Sequence, residues 1–173
     1  MITDRPRSTE SPAPYMHLVP DGDLVQLYTA QVEAISALIS GLSDREAEFR
    51  YADEKWSIKE VLGHLVDTER VFCYRLLCAA RADTTPMPSF DEDDYVVKGT
   101  FHNRPVQDLL DEWETARKAT ISMLKTLSKD SLHNLGTFKN QPTTALTVAC
   151  VGLGHTNHHI NILNERYKLT PGR

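Results

Sequence analysis

Four stretches of this 173-residue chain repeat apolar residues at spacings of three and four, and no other feature constrains the fold as strongly. In the first, about Asp21 to Gly41, Leu24, Tyr28, Val32, Ile35, Leu38, Ile39 and Leu42 share a stripe, with Asp21 or Asp23 placed to cap its start. The second runs from Ser57 to about Arg81. Ser57 and Glu60 make a capping box, in which each side chain satisfies an orphan amide, and Trp56 can staple onto the first turn. The third begins near Pro105, a good first-turn residue, and carries Val106, Leu109, Leu110, Trp113, Ile121 and Leu124 to about Leu127. The fourth spans roughly Thr143 to Tyr167 and ends before Pro171-Gly172. No alternating strand pattern and no internal repeat is evident. The expectation is an all-α four-helix bundle with a long crossover between helices two and three.

That crossover, about Ala82 to Arg104, carries Pro86, Pro88, Gly99 and the acidic run Asp91-Glu92-Asp93-Asp94. The run lacks the glycine and distal glutamate of a calcium loop and reads as a solvated loop at the bundle end. Residues 1–20, rich in Pro, Ser and charge and without an apolar h-region, read as a flexible arm rather than a secretory signal. The bundle domain is then 21–170, one core by length. A formal charge of -5 without a basic patch argues against nucleic acid as a partner. The apolar runs are too short to span a bilayer. Cys73, Cys78 and Cys150, an odd count without CxxC spacing, fit buried thiols and a cytoplasmic location.

The histidines are the candidate chemistry. At about 100° per residue, His155 and His159 lie one turn apart on a stripe with Val148 and Ile162. An i, i+4 histidine pair can chelate one metal ion. His64, on helix two, shares a face with Val61, Thr68, Val71 and Arg75. Spacing leaves two readings open: three hydrogen-bonded core histidines, or three ligands of an open metal site. His158 falls at the edge of the stripe, behind the ligands or at the surface, and Asp67 projects close enough to His64 to orient a ligand or a water.

Other chemistries fit poorly. The Glu-x-x-His pairs of di-iron bundles are absent, and Thr156 stands where an HExxH metalloprotease needs its glutamate. Cys73 and Cys150 project away from the histidines. Arg75, Arg104 and Arg117 are candidates for holding an anionic substrate group, or else ion-pair partners of the acidic run.

The segment Lys55-Trp56-Ser57 through His64 to Arg70, the segment Pro88-Ser89-Phe90 to Tyr95, and Gly154-His155-Thr156-Asn157-His158-His159 through Tyr167 resemble the DinB/YfiT-like superfamily of metal-dependent proteins. The similarity extends from about residue 20 to 168. It implies helices in up-down-down-up order and one divalent metal ion, zinc or nickel above all, held by His64, His155 and His159. It further implies frequent homodimers, and thiol S-transferase activity with a low-molecular-weight thiol in some relatives and hydrolase activity in others. Many relatives carry Glu where Thr156 stands here. The expected function is therefore a metal-dependent enzyme on a small-molecule substrate, S-transferase first and hydrolase second. The competing class is a metal-stabilised dimerisation or stress-response module. It draws on a second apolar face of helix four, Leu146, Ala149, Leu153 and Ile160, which needs a cover.

Overall fold

The computed structural model describes residues 1–6, 14–138 and 140–172. Helix α1 (Leu24–Ile39) starts at Asp23, whose carboxylate accepts from the Gln26 amide at 3.1 Å. Helix α2 (Ile58–Ala80) has the expected capping box. Ser57 Oγ accepts from the Glu60 amide at 3.2 Å, and Glu60 accepts from the Ser57 amide at 2.6 Å. Between α2 and the next long helix lies α3 (Glu92–Gly99), followed by α4 (Val106–Thr126), the short α5 (Lys129–His133) and α6 (Ala145–Glu165), which Thr144 caps. The four long helices match the sequence reading to within a few residues at each end.

Side-chain pairs fix their directions. Tyr28 donates to the Ala149 carbonyl at 2.7 Å and Gln31 to that of Leu153 at 2.8 Å, so α1 and α6 run parallel. Arg117 meets Gln31 while Glu114 meets Ser36, so α4 runs against α1. His64 meets His155 while Phe72 packs on Gly152, so α2 runs against α6. The order is up-down-down-up, and the parallel pair α2 and α4 requires the long crossover.

Two expectations about the connections change. The acidic run is not a solvated loop: Asp91 caps α3, accepting from the Asp94 amide at 2.9 Å, and its three acids fill the first turn, where the helix dipole favours them. A small sheet also appears. β1 (Pro86–Met87) pairs parallel with β2 (Leu135–Phe138), which pairs antiparallel with β3 (Gln141–Thr144). Strands of two to four residues, with prolines at edge positions, are too short to show a period.

The described part of the expected arm is docked. Ile2 is buried, its carbonyl accepts from the Leu24 amide at 2.9 Å, and Arg5 donates to the carbonyls of Pro20 and Gly22. A 3₁₀ turn, Met16–Leu18, lies on α6, where Asn157 donates to the Leu18 carbonyl at 2.8 Å. The second apolar face of helix four has its cover within the chain: Leu146, Ala149 and Leu153 are buried with Leu24 and Tyr28 of α1, and Ile160 packs on the other core cluster. That face therefore supplies no argument for a partner chain.

The core has two apolar clusters. One gathers Leu62, Leu65, Leu109, Trp113 and Leu163; the other gathers Tyr28, Leu76, Leu124, Leu146 and Leu153. Between them, every long helix turns polar on its inner face, with Gln31 on α1, His64, Thr68 and Glu69 on α2, Arg117 and Thr120 on α4, and His155, Thr156 and His159 on α6.

Candidate metal centre

Because α2 and α6 are antiparallel, the seventh residue of one meets the middle of the other. His64 Nε2 lies 3.0 Å from His155 Nε2. The ring centroids of His64 and His159 are 4.8 Å apart, and those of His155 and His159 4.7 Å. One ring nitrogen from each of the three falls within 4.8 Å of the others, and no carboxylate or thiol joins the group among the described residues. All three histidines are buried. Trp56 packs on His64, Phe72 and Tyr15 on His155.

Burial holds these rings neutral. Loss of water pulls His64 down to about 4, and pulls His155 down to about 3 with help from His64, His158 and Arg117. His159 falls well below its ordinary value for the same first reason, and its Nδ1 is buried without a hydrogen-bond partner among the described residues. Neutral imidazole is the form that binds metals.

The other candidates sit elsewhere. His158 is half-buried, its ring between those of His159 and Tyr15. Asp67 faces Arg70 at 3.9 Å and hydrogen-bonds none of the rings; burial raises its carboxyl. Glu60 is engaged by Ser57 and Arg50. Cys73, Cys78 and Cys150 are free thiols, and burial pushes Cys150 up to about 11, far from a nucleophile. Arginine partners differ from the acidic run expected. Arg104 pairs with Glu112, Arg117 with Glu69 at 2.9 Å, and Asp94 of the run takes Lys98 instead.

The sequence reading named Arg117 and Thr156 without foreseeing their contact, and it passed over Tyr15. Arg117 and Thr156 are hydrogen-bonded directly behind His155, and Arg117 also meets Gln31 Oε1 at 3.1 Å. Position 156 thus holds a hydroxyl occupied by a guanidinium, not a carboxylate. Tyr15 sits in a segment without period. Only an aromatic residue among prolines, close to His17, marked it.

The profile of the DinB superfamily matches residues 26–163, most of the chain. The chain belongs to the DinB superfamily. A protein of Oceanobacillus iheyensis described as a candidate metal-dependent hydrolase is 22% identical over 139 residues, covering 79% of this chain and 77% of that one. The structure of YfiT from Bacillus subtilis, described as a candidate metal-dependent hydrolase with an unusual four-helix-bundle topology, superposes with a TM-score of 0.76 at 16% identity, covering 96% and 95%. A mycothiol-dependent maleylpyruvate isomerase superposes with a TM-score of 0.68 at 13% identity, covering 90% of this chain and 64% of that one. These structures share the DinB fold with it. No helix among its described residues is long and apolar enough to cross a membrane.

Proposed function

We propose that His64, His155 and His159 hold one divalent metal ion and that this DinB-superfamily protein is a metal-dependent enzyme acting on a small molecule. The observation that carries the reading is a set of three convergent, neutral, buried ring nitrogens without a fourth protein donor among the described residues. Structural zinc sites close with four protein ligands; catalytic ones keep three and an open position.

The residues fit such an ion. Two nitrogens bound tetrahedrally at about 2.1 Å lie roughly 3.4 Å apart, and the 3.0 Å between His64 Nε2 and His155 Nε2 is close to that. The unpartnered Nδ1 of His159 is a further donor atom with nothing among the described residues to satisfy it. Three imidazoles suit zinc and nickel alike, so the donor set does not choose between them. When bound, an ion there supplies Lewis acidity that lowers the pKa of a water or thiol.

The chain's own groups favour a thiol as nucleophile. Glu60, Asp67 and Glu69 are engaged elsewhere, so among the described residues no carboxylate stands ready as general base. A thiol, at about 8.5, gives up its proton far more readily than water. Trp56, Phe72 and Tyr15 wall the rings and limit water there, while Arg117 and Thr156 hold α6 in register. Thiol transfer is the first reading and agrees with the thiol-dependent isomerase of like fold. Hydrolysis is the second, favoured by the description of the Oceanobacillus relative.

Elemental analysis of purified wild type beside His155→Ala tests the centre. Close to one transition-metal ion per chain, lost in the variant, is expected. A folded wild type that takes up neither zinc nor nickel would leave three core histidines and no metalloenzyme. With metal in place, conjugation of a small thiol to a chlorodinitrobenzene is expected to exceed hydrolysis of a nitrophenyl ester. The reverse ranking would give the hydrolase reading first place.

A further inference from the structure

Of the three arginines singled out by the sequence, two have carboxylate partners and Arg75 has none among the described residues. Its residue is only 5% exposed. A buried guanidinium without a counter-charge is costly, and such groups persist where something else supplies the charge. Burial draws its pKa below the usual arginine value, so its surroundings do not replace a carboxylate.

What surrounds it is a built recess. Arg75 Nη2 donates to the Pro88 carbonyl at 2.9 Å, which fixes the side chain against the crossover. Its guanidinium carbon lies 4.3 Å from the Phe138 ring centroid and 5.8 Å from that of Phe90. Only one of its five N–H groups has a partner within the described protein. These groups line a cleft of about 280 Å³ between α2 and the crossover, with Arg70, Tyr74, Ser89, Phe90 and Tyr95 around it. Among the described residues no acidic side chain lines the cleft, in a chain whose formal charge is -5. Phe90 and Tyr95 pack on each other at 4.9 Å and form one aromatic wall.

We infer that this cleft is a binding site for a small organic anion, a carboxylate carried on a flat apolar body, with Arg75 as its counter-ion. The planar fork of Arg75 matches a carboxylate, Ser89 lends a hydroxyl to the same cleft, and the rings of Phe90, Tyr95 and Tyr74 take the flat part. Arg75 lies on the His64 face of α2, eleven residues on, about 16 Å along the axis. The site is therefore separate from the three histidines and stands whether or not they hold an ion.

Isothermal titration of the full chain with benzoate, benzamide and inorganic phosphate tests this. Benzoate is expected to bind, benzamide of the same shape not to, and phosphate to bind more weakly for want of the aromatic contact. Arg75→Gln should weaken benzoate by about tenfold or more and Arg75→Lys by less, because the lysine keeps the charge without the fork. Tyr74→Ala, at an exposed position on the rim, should weaken it while leaving the melting temperature unchanged, which covers the case in which an Arg75 variant folds poorly. Equal affinity for benzoate and benzamide, phosphate binding tighter than benzoate, or benzoate affinity untouched in all three variants would overturn the assignment. The metal content of Arg75→Gln should equal that of the wild type, so failure here is distinguishable from failure of the metal centre.

Discussion

Arg117 donates a hydrogen bond to the hydroxyl of Thr156, one residue past His155, while its other contacts hold Glu69 and Gln31. One fully buried cation thereby joins all four long helices at the level of the three histidines. Thr120 adds a hydrogen bond to Glu69, and Asn157 carries the chain of contacts from Gln31 to the Leu18 carbonyl.

The Arg117–Glu69 pair should be strongly coupled. Arg117→Met alone leaves a buried carboxylate without its partner and is expected to cost on the order of 3–5 kcal/mol. The double variant Arg117→Met with Glu69→Leu should recover much of that. Urea denaturation of the two single variants and the double variant measures the coupling, and additive losses would contradict it.

Gly63 precedes His64 and faces Phe101 so closely that a Cβ would sit 2.2 Å from the Phe101 ring. Gly63→Ala is expected to destabilise by about 1–3 kcal/mol through overpacking. Adding Phe101→Leu should restore part of the loss. No recovery would mean that the clash is met elsewhere.

Gly154 plays a similar part on α6, where a Cβ would stand 2.3 Å from the Tyr15 carbonyl oxygen. Tyr15 itself holds a left-handed backbone at φ 66°. Gly154→Ala should lift the 14–20 segment and leave the bundle folded. Limited proteolysis should then cut this segment faster at an unchanged thermal midpoint, and an unchanged cleavage rate would speak against docking by close approach.

Acid should destabilise the metal-free protein. His64 and His155 sit at about 4 and about 3 when folded, against roughly 6.5 when unfolded. Folded values are depressed, so their contribution is complete above about pH 6.5 and lost as pH falls toward the folded values. Between pH 7 and 5, one such ring removes on the order of 2 kcal/mol. Denaturation of chelator-treated protein at both pH values checks this, and His64→Gln should flatten the dependence.

What the sequence revealed was whatever repeats along one helix. The stripes of α1, α2, α4 and α6 were legible, as was the inward aim of His64, His155 and His159, because period and burial coincide there. Arg117 and Glu69 were not, since a buried ion pair between helices looks in sequence like two surface charges. Tyr15 and the Pro86–Met87 strand owe their places to partners far along the chain, Gly154 in one case and β2 in the other. Periodicity carries no trace of such contacts.

The up-down-down-up order has a consequence for biosynthesis. His64 and His155 are separated by 91 positions, and α6 is the last of the four long helices. On the ribosome, the first three long helices emerge before α6, which packs on both α1 and α2. A nascent chain therefore presents His64 without His155 and His159 until α6 clears the exit tunnel. The chelate proposed for His64, His155 and His159 would then form only after α6 has packed against α2, so a half-made chain would offer an ion no complete site.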